Sequence, residues 1–530
     1  MTRPSTVTRS PHSRPSTRHM RSGTRLWRVA FAAVLCLAWI VGSDRLSVPG
    51  TTAAHAATAY NWLQFDGNEE HSGNNTLESV LSPSTVGGLK LLFRATLPDV
   101  ADGAPAYVSN VNTKSGPQDL LFVTTRAGDI VALNAESGVI VWEQHNPAGS
   151  CRINKGSQPC YTTSSPAVDP SLSYVYSYGL DGYVHKYQIG DGTEVTGGGW
   201  PELATLKAFD EKGSSALSVV TDSHNTSYLY VTNGGYPGDN GDYQGHVTAI
   251  NLSTGTQHVF NALCSNQPDT HFVEQPGQPD CPQVQSAIWA RPGTIYDPET
   301  GKLYMGTGNG PYAPKSFDWG DSIFALNPDG TGNGALPLDS YTPSNYQQMQ
   351  SQDLDLGSTA PAILPAPRSS KFQHIAVQGG KDARLRLLNL DNLSGKGGPG
   401  HIGGQIKTIA VPQGGEILTQ PAVWVAGDGS TWTFVANGSG TSALQLRVNR
   451  SGTPFLHPAW KSAVPGSSPL VANGVLYVAT GGDMRALDPT TGQQLWQDAG
   501  IGGIHWESPV VDNGMLYITD ENSQLSAYGL

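Results

Sequence analysis

From residue 89 to the last residue, apolar and polar positions alternate in short runs, and Gly, Asn, Asp and Pro break the runs. A period of two with frequent turn residues predicts β-strands that each bury one face. One unit recurs, an apolar strand opened by Ser-Pro or a relative of it. It reads APAYV at 104, SSPAV at 164, SSALSVV at 214, ARPGTI at 290, TAPAIL at 359, TQPAVWV at 419, SSPLV at 467 and ESPVV at 507. A second unit follows each copy, alternating, turning at Asp, Asn or Gly, and often closing on an aromatic residue. GDIVALNAESGVIVWEQ from Gly128 and GDMRALDPTTGQQLWQD from Gly482 are its clearest copies. The last copy, SQLSAYGL, ends the chain without an outer strand.

Eight copies over the chain beyond residue 56 give about 59 residues each, which suits a four-stranded blade with generous loops. The expected fold is therefore all-β, an eight-bladed β-propeller of four-stranded antiparallel blades. LKLLFRATL, Leu89 to Leu97, precedes the first unit. It supplies the missing outer strand of the last blade, so an N-terminal strand closes the ring and no free edge remains there. Two stacked β-sandwiches would not predict one repeat running through the whole chain. Trp142 and Trp496 close two of the units and are expected to dock one blade on the next.

The first 56 residues do not follow this pattern. They hold eight Arg and no Lys, then the apolar run VAFAAVLCLAWIV from Val29 to Val41, then Ala54-His55-Ala56. A basic region, a short apolar core and an A-x-A site read as a secretory signal peptide cleaved near Ala56. The expected division is 1–56 signal and 57–530 propeller, secreted, without stable membrane insertion. Removing eight Arg and one Asp takes the formal charge from −12 to −19. Such a chain is unsuited to holding phosphate backbones, so nucleic acid is excluded as a partner. Export also makes disulfides expected: Cys151 with Cys160 and Cys264 with Cys281, each pair flanking a Gly-, Pro- and Asn-containing loop. No C-x-x-C-H occurs, so no covalent haem is expected.

The ALNAESGVIVW and ALDPTTGQQLW units, and the opening NWLQFDGNEEHSGNN from Asn61 to Asn75, resemble quinoprotein alcohol dehydrogenase-like propellers. The resemblance covers essentially all of 57–530, and propellers that bind no cofactor share the repeat. IYDPETGKLYMGTGNGPY, Ile295 to Tyr312, is similar to the metal-site blade of the quinone-dependent members. The form D-x-D-x-G-S-x-x-P within SQDLDLGSTAPAIL, and GIHWESPVV near the end, look closest to polyvinyl-alcohol-dehydrogenase-like members without a haem domain.

The resemblance implies pyrroloquinoline quinone and Ca2+, with Asn309 as a metal ligand. Asp239 or Asp242 would stand in for a glutamate ligand absent from NGGYPGDNGDYQ. It implies Asp353 or Asp355 as catalytic base, with Asp353 the first choice, and Lys381 as the cation beside the quinone oxygen. Trp289 is the aromatic platform, and Trp506 either lines the axial channel or packs. The chemistry would be proton removal by a carboxylate while the quinone takes the electrons, a hard cation polarising the quinone. The residues alone also permit blander readings. Asn309 suits a Gly-rich turn, the Asp353–Asp355 pair suits capping of backbone amides, and Lys381 beside Asp382 suits an exposed ion pair. In an extended segment Asp353 and Asp355 would face the same way.

Two functions follow. One is a secreted quinone- and calcium-dependent oxidoreductase acting on a small or polymeric alcohol with a separate electron acceptor. The other is a non-catalytic extracellular scaffold with a protein partner. No Ser/His/Asp set supports a hydrolase. Convergence of Asn309, the acidic pair and Lys381 in one axial cavity is what separates the first two.

Overall fold

In the computed structural model, residues 59–530 apart from 147, 148 and 155 are described. The expected signal segment lies outside these residues. Each of the eight sequence units opens a separate antiparallel sheet, and the sheets are the blades of an eight-bladed propeller.

Blade 1 takes Ala106–Thr113, Gly116–Thr124, Ile130–Asn134 and Ile140–Gln144 in sequence order. Blades 2 to 7 open on Ala167–Val168, Ser218–Thr221, Ile295–Asp297, Ala362–Pro365, Ala422–Val425 and Leu470–Ala472. Blade 8 has Val510–Asp512, Met515–Asp520 and Gln524–Gly529 from the C-terminus, and its outer strand is Lys90–Thr96. Arg94 stands opposite Ser526 and Thr96 opposite Gln524, so first and last parts of the chain are laced by backbone hydrogen bonds.

Two blades depart from four strands. Glu211–Gly213 adds to blade 3, and Asn74–Asn75 runs parallel to the innermost strand of blade 7. The hairpins Ser150–Ile153/Gly156–Pro159 and Tyr312–Ala313/Asp318–Trp319 are separate two-stranded pairs, and Cys151, Ile153 and Trp319 in them are buried. Disulfides join Cys151 to Cys160 and Cys264 to Cys281, as the spacing predicted.

The closing tryptophans explain how the blades dock. Trp142 donates its indole N–H to the Ile189 carbonyl of blade 2 at 2.9 Å. Its ring covers Gly192, where an added Cβ would lie 2.5 Å from the indole. Trp460 repeats the arrangement on blade 7, donating to Pro489 at 2.8 Å and covering Gly492. Trp496 donates to Leu89 at 3.0 Å, where the closing strand begins. A bulky aromatic therefore seals each of these junctions while its polar atom finds a carbonyl.

The N-terminal segment is part of the core. Trp62, Phe65, Leu81, Val86 and Leu89 pack with residues of blades 7, 8 and 1. His71 is fully buried between the Phe65 carbonyl at 2.5 Å and Ser218 Oγ at 3.1 Å. Burial pushes its pKa down to about 4, so it is neutral in the fold.

Among the described residues the α-helix is a single short one, Tyr346–Gln352, between blades 4 and 5. No helix among them is long and apolar enough to cross a membrane.

Candidate functional site

Loops from blades 2, 3, 4, 5 and 8 meet around one cavity of about 340 Å3. Asp239, Trp289, Asn309, Asp353, Asp355, Lys381 and Trp506 all line it. These are seven of the eight residues singled out from the sequence.

Asp355 is the centre of the polar arrangement. It precedes the 3-10 turn Leu356–Ser358 that leads into blade 5, and its side chain is almost wholly buried. Oδ1 accepts the Asn309 backbone N–H at 2.6 Å. Oδ2 lies 2.7 Å from Lys381 Nζ. Lys381 sits in the turn between His374–Gln378 and Arg384–Asn389, and its own backbone N–H returns to the Asp355 carbonyl at 3.0 Å. Burial raises the Asp355 pKa, and the Lys381 charge and the hydrogen bonds from Lys381 and Asn309 offset this only in part. For Lys381 burial works against the charge, but Asp355 and Asp353 together hold its pKa above the usual lysine value.

Asp353 differs from its neighbour. The segment is not extended: Asp353 caps the C-terminus of Tyr346–Gln352 in the left-handed region, at φ 55°. The chain turns between the two carboxylates, so Asp353 stands at the rim with 62% of its side chain exposed against 5% for Asp355. They share Lys381, with Asp353 Oδ1 at 3.3 Å from Nζ. Lys381 is thus not the partner of Asp382, which instead binds Arg386.

Trp289 forms the aromatic wall. Lys381 Nζ lies 5.4 Å from its ring centroid, and Trp506 meets it edge-on at 6.4 Å. Trp506 therefore lines the cavity and is not sequestered in a blade junction. Arg291 stacks on Trp506 at 5.5 Å.

Asp239 is on the wall and accepts the Tyr243 hydroxyl at 2.7 Å. Asp242 is not. Its backbone carbonyl takes Lys207 Nζ at 2.6 Å, and its carboxylate takes Gln244 Nε2 at 2.9 Å and the Gln275 N–H at 3.2 Å. The buried Lys207 draws it away from the cavity, so Asp242 does not join the expected metal set.

Sequence reasoning missed the cations of the opposite wall. Lys212 is buried over the rings of Tyr161 at 4.1 Å and Tyr236 at 5.6 Å. Burial brings its pKa down to about 7. Arg291 is fully buried, donating to the Thr163 and Ser214 carbonyls at 2.7 and 3.0 Å, and its Nε has no partner. Arg291 carried one signal: it is the only charged residue directly before the Pro of a strand-opening unit. Lys212 carried none.

Aromatic faces, three cations and an orphaned buried guanidinium N–H fit a planar anionic quinone. For calcium the fit is partial. Asn309 and Asp239 stand on the wall, whereas Asp242 is engaged elsewhere, and a hard divalent ion needs six or more oxygens.

The fold and repeat define a PQQ-like-repeat β-propeller. The family model described as outer membrane protein assembly factor BamB matches residues 18–275 and 431–529, and the chain belongs to that family. No curated protein matches the chain. Among solved structures it is similar to the quinohemoprotein alcohol dehydrogenase ADHIIG from Pseudomonas putida HK5. The TM-score is 0.60 at 16% identity, over 89% of this chain and 80% of that one. A europium-containing methanol dehydrogenase gives 0.60 at 14% identity, over 89% and 98%. The quinohemoprotein alcohol dehydrogenase from Comamonas testosteroni gives 0.58 at 14%, over 88% and 80%. At these identities the likeness is one of fold.

Proposed function

We propose that this propeller is an exported oxidoreductase that binds a pyrroloquinoline-type quinone in the axial cavity and oxidises an alcohol there. The observation that carries this reading is the meeting of Asp355, Lys381, Asn309 and Trp289 in one cavity. They come from separate loops of blades 4 and 5, and the junction where the Gly357 N–H meets the Thr307 carbonyl at 2.9 Å sets Asp355 against Asn309. The solved quinohemoprotein and methanol dehydrogenases support the same reading at the level of fold.

When bound, the quinone supplies a two-electron acceptor. The chain supplies the rest. Trp289 and Trp506 give apolar surface for a planar ring, and Lys212, Arg291 and Lys381 give positive charge for its carboxylates and oxygens. Asp355, with its raised pKa, takes the proton of the substrate hydroxyl. Lys381 keeps that carboxylate oriented and limits the rise. Asn309 and Asp239 are the side chains that would hold a calcium ion.

Equilibrium dialysis of the purified protein with the quinone, with and without Ca2+, tests binding, and dye reduction with a panel of alcohols tests turnover. Stoichiometric binding with alcohol-dependent dye reduction is expected. Failure to bind quinone under either condition overturns the reading. It would favour the second one, a non-catalytic extracellular scaffold, which the description of the matching family model supports. Export is tested by the N-terminus of the protein recovered from culture medium, expected just after Ala56.

A further inference from the structure

Across the cavity from Asp355, at the seam where the ring closes, a second polar cluster takes no part in the proposed oxidation. Asp102 lies in the loop that carries the chain from the closing strand into blade 1. His505 lies in the loop entering blade 8, and Glu521 in the hairpin turn between Met515–Asp520 and Gln524–Gly529. One ligand-type atom from each of the three lies within 4.8 Å of the others, the one such group among the described residues. We propose that Asp102, His505 and Glu521 bind a divalent transition cation of the zinc or manganese class.

The geometry needs little adjustment. Asp102 Oδ2 and His505 Nδ1 are 2.8 Å apart, and ligand bonds of about 2.1 Å around a tetrahedral ion place donors about 3.4 Å apart. The Asp102 side chain is fully buried, and its other oxygen accepts the Trp506 N–H at 3.0 Å, which fixes the carboxylate. His505 and Glu521 are partly open, with 49% and 31% of their side chains exposed, so an ion has a path in.

A second observation points to a ligand independently. Glu507 is fully buried in the same place, and its Oε1 has no hydrogen-bond partner. Its Oε2 accepts the His505 N–H at 2.6 Å, tying it to the loop that presents the imidazole. Glu521 Oε1 is likewise buried and without a partner. Unpartnered buried carboxylate oxygens are costly, and a cation nearby removes the cost. The local cations do so only in part: Arg126 pairs with Glu521 through its other oxygen, Oε2, at 3.5 Å, Arg291 donates to the Asp102 backbone carbonyl at 3.4 Å, and Oε1 of both Glu507 and Glu521 is left without a donor. Lys212 makes no ion pair with the cluster among the described residues.

An imidazole among carboxylates selects zinc, manganese or a similar ion over calcium. Because Asp102 comes from one end of the chain and His505 and Glu521 from the other, a bound ion would pin the closing seam.

The test uses the full-length exported protein, stripped with a chelator and then titrated with ZnCl2, MnCl2 or CaCl2 in the absence of quinone. Bound metal is counted per chain, Tm is followed, and Co2+ substitution gives a visible spectrum. One zinc or manganese ion per chain, a raised Tm and no comparable effect of calcium are expected. His505→Ala and the more exposed Glu521→Gln should each weaken binding at least about tenfold while the proteins stay folded. Absence of stoichiometric binding, or binding unchanged in both variants, overturns the proposal. Either result stands whether or not the protein binds quinone.

Discussion

At Asp355, burial and ion pairing pull against each other, and the balance leaves a carboxylate with a raised pKa beside a fixed cation. Asp353 stands at the rim with 62% of its side chain exposed and Lys381 Nζ at 3.3 Å. The two variants should therefore separate. Asp355→Asn is expected to lower kcat by about 10^2–10^4 while quinone binding by dialysis persists, since the proton acceptor alone is lost. Asp353→Asn should stay within about tenfold of the parent in the same dye-linked assay. Equal losses would mean that both carboxylates act as one unit. Asp355, Asn309, Lys381 and Trp289 came to notice because their segments resemble those of the quinone-dependent propellers, and all four line one cavity. Which carboxylate turns inward was not legible. That depends on the left-handed backbone of Asp353, which ends a seven-residue helix that no periodicity announced. Lys212 and Arg291 escaped for a different reason. Their contacts are to rings and carbonyls brought by other blades, and pattern within one unit says nothing of them.

At the scale of the strand and turn, each opening unit marked a real inner strand because period-two alternation is a local signal, helped in seven of the eight copies by a Pro that SSALSVV at 214 lacks. The additions to the plan were less visible. Asn74–Asn75 is two residues long, and Glu211–Gly213 is a charged stretch whose strand form comes from pairing with Ser227–Gly235. The Trp–Gly junction is the element on which blade docking turns, and it can be tested at Gly192. There φ is 71° and an added Cβ would meet the Trp142 indole at 2.5 Å. Gly192→Ala combines backbone strain with overpacking and should cost about 2–4 kcal/mol in chemical denaturation. Gly116→Ala is the control, since φ is 99° but nothing lies within 4 Å. Strain alone should cost it about 1–2 kcal/mol. Similar losses at the two positions would show that the indole is not held tightly against the turn.

For the whole molecule the seam between first and last blades is the one junction that the chain cannot make by continuing its repeat. It is made by the closing strand and by the N-terminal segment, whose Tyr60, Asn75 and Glu78 pack against Val511–Gly514. A buried carboxylate there, Asp512, ties ring closure to pH. Burial raises its pKa to about 9, and the charges of Glu78 and Asp119 add to the rise against a hydrogen bond from Asn513. Glu78 is committed as an acceptor of four hydrogen bonds, from Tyr60, Val80, Leu81 and Gly514. The sign follows from proton counting. Below about pH 4 both folded and unfolded Asp512 are protonated, and stability does not depend on it. Between about pH 4 and its folded value near 9 the folded chain keeps a proton that the unfolded chain has lost. Stability therefore falls as pH rises through that window, by at most about 1.4 kcal/mol per pH unit, and levels off above it. Asp512→Asn keeps the shape and removes the proton. Urea unfolding of the parent and variant at pH 5, 7 and 9 should show the variant gaining steadily on the parent as pH rises. A constant difference between the two proteins across that range would mean that Asp512 is already ionised in the fold and that the seam is not sensitive to its charge.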